Sequence, residues 1–136
     1  MPLRYLLDTS VYSQPLRKRP VTASLHKWAQ VGDSSCAISV VTLSEIEFGL
    51  SRDTNDQRQA KFEALLRERL EILPAEELVW HRFALMKARQ RLIGQPVSDL
   101  DLLIAATATV HKLTVATLNK ADFSRIESLS WEDWST

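Results

Sequence analysis

The sequence predicts an α/β fold with a mainly parallel central sheet and helices on both of its faces. Two observations carry that prediction. Strand-like and helix-like segments alternate along the chain, the pattern of consecutive βαβ units. The first strand-like run, Tyr5-Leu6-Leu7, is apolar at every position, as a strand covered on both faces must be. At 136 residues the chain is read as one domain, 1–136, long enough for a hydrophobic core.

In order, the run Tyr5 to Leu7 ends at Asp8-Thr9-Ser10, a polar cluster that can open a turn or cap a helix. Gln14 to Pro20 reads as a loop between prolines and carries Arg17, Lys18 and Arg19. Val21 to Val31 is predicted helical, with Thr22 as cap, Leu25, Trp28 and Ala29 on one face, and Gly32 as stop. The second strand is predicted over Cys36 to Val41, rich in β-branched residues. Thr42-Leu43-Ser44-Glu45 has capping-box spacing and opens a helix with Leu43, Ile46 and Leu50 on its apolar face. Ser51 to Asp56 reads as a polar loop, and Asp56 to Leu70 as a helix with a Phe62, Leu65, Leu66 and Leu70 stripe. That stripe is first a core face, with a groove for a partner helix as the alternative. Ile72-Leu73 before Pro74 is a third strand near a sheet edge. Glu76 to Ile93 gives the longest helix, its apolar set being Val79, Trp80, Phe83, Met86 and Ile93. After Gly94-Gln95-Pro96 a helix to about His111 is apolar nearly all round, hence buried. Leu113 to Thr117 is the fourth strand, and Leu129 to Trp134 a short closing edge strand.

Composition narrows the function classes. Seventeen basic and seventeen acidic residues leave no net charge. The chain as a whole therefore has no electrostatic footprint for nucleic acid, and such a role would need a local basic rim or a metal. Cys36 is the one cysteine, so an internal disulfide is excluded, consistent with a reducing compartment. The N-terminal segment meets a charge too early for a signal peptide, and no apolar run reaches membrane-spanning length. A cytoplasmic protein is expected.

The buried helix carries two carboxylates in its first turn, Asp99 and Asp101. Ser98 with Asp101 forms a capping box, and acids there suit the helix dipole. Three further acids sit at comparable junctions: Asp8 after the first strand, Glu45 after the second and Asp122 after the fourth. In open parallel sheets ligands bind beyond the carboxyl ends of strands, near a topological switch point. If the four acids converge there they repel one another. A cation neutralises such a cluster, and oxygen-only donors select hard ions, Mg²⁺ or Mn²⁺.

The four segments in order are Leu7-Asp8-Thr9-Ser10-Val11, Ser44-Glu45-Ile46-Glu47-Phe48-Gly49, Asp101-Leu102-Leu103-Ile104-Ala105-Ala106, and Thr117-Leu118-Asn119 through Asp122-Phe123. Together they resemble PIN-domain ribonucleases. The chain's size and its closing Leu129 to Trp134 resemble the VapC-type toxins of bacterial toxin–antitoxin pairs. The resemblance implies a three-layer α/β/α sandwich and a Mg²⁺-dependent endoribonuclease, with Mn²⁺ able to substitute. It also implies a homodimer held inactive by an antitoxin. By position, Asp8, Asp101 and Asp122 resemble the family's metal-binding acids, and Glu45 the one that often acts through water. Ser10, Thr117 and Asn119 fall where the family places polar support, although Leu118 stands where a polar residue is common. Asp99 and Glu47 are the competitors of Asp101 and Glu45. The resemblance implies 3′-hydroxyl and 5′-phosphate products. Candidate RNA contacts are Arg17, Lys18, Arg19, Arg52, Lys120 and Arg125.

Other readings are weaker on the residues. Asp8-Thr9-Ser10-Val11 resembles the nucleophile turn of haloacid-dehalogenase-type phosphatases, but Ser10 occupies the place of their second acid. A phospho-accepting receiver domain wants paired early acids, and Asp8 stands alone. A catalytically silent binding scaffold would not need all four acids. His26, His81 and His111 lack metal-ligand spacing and read as helix surface. Trp28 and Trp80 read as core, and Trp131 and Trp134 as closing the edge of the fold.

Overall fold

Five short strands form one sheet: β1 (Tyr5–Leu7), β2 (Cys36–Ser39), β3 (Glu71–Leu73), β4 (Thr114–Thr117) and β5 (Trp131–Asp133). The computed structural model describes residues 2–52 and 56–136. The strand order is β3-β2-β1-β4-β5, and every neighbouring pair is parallel. The chain steps outward from β1 to β2 and β3, then crosses back to lay β4 on the other side of β1. The switch point therefore lies between β1 and β4, which pair Tyr5 with Thr114 and Leu7 with Ala116.

Among the described residues the helices are α1 (Thr9–Tyr12), α2 (Thr22–Val31), α3 (Val40–Arg52), α4 (Asp56–Leu65), α5 (Glu77–Leu92), α6 (Asp99–His111) and α7 (Lys120–Phe123). Strand alternation divides the core into two layers. Leu6, Ala37, Leu73 and Val115 face the small apolar residues of α6, with Val79 of α5 and Phe123 of α7. Tyr5, Leu7, Cys36, Ile38 and Ala116 face the other way, toward Val11, Trp28, Ile46, Phe62 and Leu66. Helices thus cover both faces, which is why β1, the middle strand, is apolar at every position. Trp134 closes this second layer edge-to-face on Tyr5, ring centres 5.2 Å apart.

Several boundaries and faces differ from the sequence reading. The second strand stops at Ser39, because the Ser39 hydroxyl accepts from the Val41 amide at 3.0 Å and starts α3 two residues before Thr42. The β-branched Val40 and Val41 belong to the helix; tertiary contact overrides their strand preference. Val21 rather than Thr22 occupies the cap position of α2, its amide donating to Gln14 Oε1 at 2.8 Å. Ser24 is buried beside Trp28 where Ala29 was expected, and Ala29 is exposed. The fourth helix ends at Leu65, which is exposed, and turns deliver Leu66 and Leu70 to the core. Trp80 is 50 % exposed and Ile93 also lies at the surface, so only Val79 of that apolar set is fully buried. Ser51 and Arg52 complete α3, and the rest of the expected loop, 53–55, lies outside the described residues.

A buried polar clamp fixes the segment after α7 against α5. Gln90 is buried, its Nε2 donates to the carbonyls of Gln95 and Arg125 at 2.8 and 2.7 Å, and its Oε1 accepts from the Glu127 amide at 3.0 Å. Gln90→Leu leaves these backbone groups without partners in the interior. We expect a loss of about 2–3 kcal/mol in chemical denaturation, against about 0.5 kcal/mol or less for the exposed neighbour Arg91→Leu.

Candidate functional site

The turn that leaves β1 puts Asp8 at the switch point. Asp8 caps α1, its Oδ1 accepting from the Val11 amide at 3.0 Å. Its own amide donates to the Ala116 carbonyl of β4 at 3.0 Å, which locks the turn to the neighbouring strand. Only 3 % of Asp8 is exposed.

Two hydroxyls hold this carboxylate, one on each oxygen. Ser10 Oγ donates to Oδ1 at 2.6 Å and accepts from the Leu118 amide at 2.9 Å. Thr117 Oγ1 donates to Oδ2 at 2.5 Å and accepts from the Asn119 amide at 2.7 Å. Each hydroxyl therefore ties Asp8 to the backbone of the segment leaving β4. Burial raises the Asp8 carboxyl above the ordinary carboxylate range, and the bonds from Ser10, Thr117 and the backbone partly offset it. Oδ2 keeps acceptor capacity beyond the Thr117 bond. Leu118, at the position where a polar residue is common, packs its side chain against the second core layer and leaves its amide to Ser10.

The other three acids reach the same end of the sheet by different routes. Glu45 lies a turn into α3, where its Oε1 accepts from Thr9 Oγ1 at 2.5 Å. Asp122 in α7 accepts from Asn119 Nδ2 at 2.7 Å. Asn119 precedes α7 without capping it through its side chain. Asp101 is the third residue of α6, whose first turn Ser98 caps by accepting from the Asp101 amide at 3.3 Å. The Asp101 carboxyl is pushed up to about 6, first by burial, with Asp122, Asp8 and Glu45 each adding repulsion and the Ser98 hydroxyl opposing. Asp101 is thus the group that feels all three of the other acids.

Each of the two competitors has a basic partner of its own. Asp99 is exposed and pairs with Lys87 Nζ at 2.9 Å. Glu47 is exposed, on the side of α3 where its charge acts on Arg67. A cavity of about 500 Å³ opens over Asp8, Glu45 and Asp101, lined also by Ser10, Asn119 and the competitor Asp99, with Arg17 as its basic wall; Asp122 lies behind Asn119, outside the lining. Of the six candidate RNA contacts, Arg17 alone lines it. Lys18 and Arg19 are exposed beside Arg17, Arg52 lies over the Phe48 ring, and Lys120 and Arg125 are exposed around α7. Thr9 was not singled out in the sequence. Its signal is its place inside Asp8-Thr9-Ser10, one residue from the buried acid.

Among the described residues no three His, Cys, Asp or Glu side chains are close enough together to hold an ion. The donor set nonetheless fits a hard divalent cation. It is made of oxygens alone, Asp101 is held in a repulsive field, and none of the four acids is in a salt bridge among the described residues. His26, His81 and His111 lie on α2, α5 and α6 as exposed residues, away from this set.

Burial of the Asp101 carboxylate, with repulsion from its acidic neighbours added, has a measurable cost. A carboxyl with a raised folded pKa holds its proton more tightly when folded. Its contribution therefore favours the fold at low pH and is lost as pH rises from about 4 through about 6. In chelator, Asp101→Asn should melt about 3–5 °C above the parent at pH 7.5, corresponding to about 1 kcal/mol, and no higher at pH 4.5. Thermal melts at the two pH values check this.

Comparison with known proteins bears on the fold and the family. The family model described as PIN domain matches residues 5–129. Ribonuclease VapC2 of Rickettsia felis is 28% identical over 131 residues, covering 96% of this chain and 97% of the relative. Toxin FitB of Neisseria gonorrhoeae is 30% identical over 139 residues, covering 95% and 97%. The solved structure of VapBC2 from Rickettsia felis bound to a DNA fragment from their promoter superposes with a TM-score of 0.84 at 27% identity. It covers 98% of this chain and 99% of that one.

Proposed function

The chain belongs to the PIN domain family, and from that premise we propose that it is a metal-dependent endoribonuclease, the toxin of a type II toxin–antitoxin pair. The observation that carries the proposal is the single cavity beyond the carboxyl end of β1 into which Asp8, Glu45 and Asp101 converge, with Asp122 near enough to add to the repulsion at Asp101. The relatives named ribonuclease and toxin support it.

In this reading Asp8, Asp101 and Asp122 would hold Mg²⁺, with Mn²⁺ able to substitute, and Glu45 would contribute through water. When bound, the ion supplies an activated water and neutralises charge on the leaving oxygen. Glu45, held by Thr9, accepts the proton of the attacking water. Ser10 and Thr117 keep Asp8 oriented, and Asn119 does the same for Asp122. Arg17 and the surrounding cations bind phosphates on either side of the bond that breaks. The partners in this reading are RNA, an antitoxin and a second copy of the chain. Residues 1–136 act as one domain, in the cytoplasm; no helix among the described residues is long and apolar enough to cross a membrane.

The test is incubation of the purified chain, free of partner, with total RNA. We expect discrete fragments with Mg²⁺ or Mn²⁺ and none with EDTA. Fragments that persist unchanged in EDTA would contradict the metal dependence. Intact RNA with either ion and a folded chain would contradict the nuclease.

A further inference from the structure

We infer that a second, basic cavity beside the acid site is a subsite for the phosphodiester backbone of the RNA; this rests on the ribonuclease reading above. The cavity measures about 270 Å³ and is lined by Leu16, Arg17, Lys18, Gln57, Arg58 and Lys61. Among the described residues its lining holds four cationic side chains and an amide, and no carboxylate. The chain has as many acidic as basic residues, so this concentration is not a by-product of a basic protein.

The local structure explains how the cations come together. The short 3₁₀ turn Gln14–Leu16 buries Leu16 as the floor and projects Arg17 and Lys18 beyond it. Across the cavity, Gln57, Arg58 and Lys61 lie in the first turns of α4. The spacings from Arg58 to Lys61 and from Gln57 to Lys61 put all three on one helix face. Leu16, Phe62 and Leu66 belong to the same core layer, so the two walls are held by packing below.

Arg17 lines both this cavity and the acid cavity. That continuity favours the RNA strand over a separate ligand. A pocket of four carboxylates repels a polyanion, so a strand crossing it needs cations alongside. The basic cavity supplies them next to the site of cutting. Such contacts position a backbone without reading bases, so the subsite raises affinity for RNA of any sequence. It extends the candidate contacts of the sequence to Gln57, Arg58 and Lys61, and gives Lys18 a defined place.

The experiment measures binding separately from cutting. Fluorescent single-stranded RNA is titrated with the full chain in EDTA over a range of salt. The parent is compared with Lys18→Ala/Lys61→Ala, with Lys18→Glu/Lys61→Glu, and with Arg82→Ala/Arg91→Ala on α5 as control. We expect the alanine pair to weaken binding about 10-fold and to lower the salt slope by about 0.7 for each phosphate that is no longer neutralised. The glutamate pair should weaken it further, and the control should match the parent. With Mg²⁺, the alanine pair should raise KM and leave kcat within about twofold. Unchanged affinity and slope in both Lys18/Lys61 variants would overturn the inference. Retained RNA affinity with loss of antitoxin binding would also overturn it, assigning the cavity to an acidic protein segment. If the variants lose RNA binding but the parent cuts nothing with either ion, the subsite stands as an RNA site and the nuclease reading fails.

Discussion

Asp8→Asn lowers RNA cleavage by roughly 10³-fold or more while leaving the chain folded. The size follows from what the substitution removes. Asp8 is the most buried of the four acids and the one the fold positions most firmly, through Ser10, Thr117 and the Val11 amide. An amide there keeps the shape and removes the charge that would hold the ion. Loss of an electrostatic contribution costs about 10²–10³-fold, and the activated water that the ion would supply goes with it. Stability moves little because two effects oppose. The amide group disturbs the paired hydroxyl bonds, which costs about 1 kcal/mol. Removal of a buried charge whose burial disfavours ionisation recovers a similar amount. Initial rates on one RNA, with circular dichroism and thermal melts on the same samples, check both halves. Cleavage within tenfold of the parent would remove Asp8 from the chemistry.

The second large effect is on stability. Mg²⁺ or Mn²⁺ raises the melting temperature of the parent chain, because an ion that binds the folded state alone stabilises it by mass action. At a hundred times its dissociation constant the gain is about 2.7 kcal/mol, or about 10 °C for a chain of this length. The gain includes relief of the repulsion at Asp101. It should vanish in Asp8→Asn and shrink in Asp101→Asn and Asp122→Asn. Asp99→Asn should retain it, since that carboxylate is exposed and paired with Lys87, and Glu47→Gln should retain it as well. Cleavage by these last two variants stays within about twofold of the parent. A melting gain that survives Asp101→Asn and disappears in Asp99→Asn would exchange the roles of the two first-turn acids.

Much of this site was legible because its residues obey local rules that happen to point one way. Asp8, Glu45 and Asp122 stand just beyond apolar runs, and a parallel sheet gathers such positions at one end. Asp101 was marked by the apolar run that follows it. Its rival Asp99 could not be dismissed from sequence, because the decision rests on Lys87, twelve residues back on another helix. Thr9 was missed for a similar reason: its hydroxyl serves Glu45, thirty-six residues away. The helix faces were legible only in part. Leu65 and Trp80 fit helical stripes yet are exposed, since burial depends on what packs opposite rather than on periodicity. Gln90 reads as a polar surface residue until the segment after α7 folds over it and supplies two backbone partners, the Gln95 carbonyl being the third. The early start of α3 has the same origin, a Ser39 side-chain bond inside what reads as a strand.

The central claim is that Asp8, Asp101 and Asp122, with Glu45, share one divalent cation. The most direct test is a crystal of the chain grown with Mn²⁺ and measured for anomalous scattering. The account predicts an anomalous peak in the cavity over the end of β1, with Asp8 and Asp101 as ligands, and its absence in crystals of Asp8→Asn. A peak elsewhere, or none at saturating Mn²⁺ with the cavity open to solvent, would contradict it.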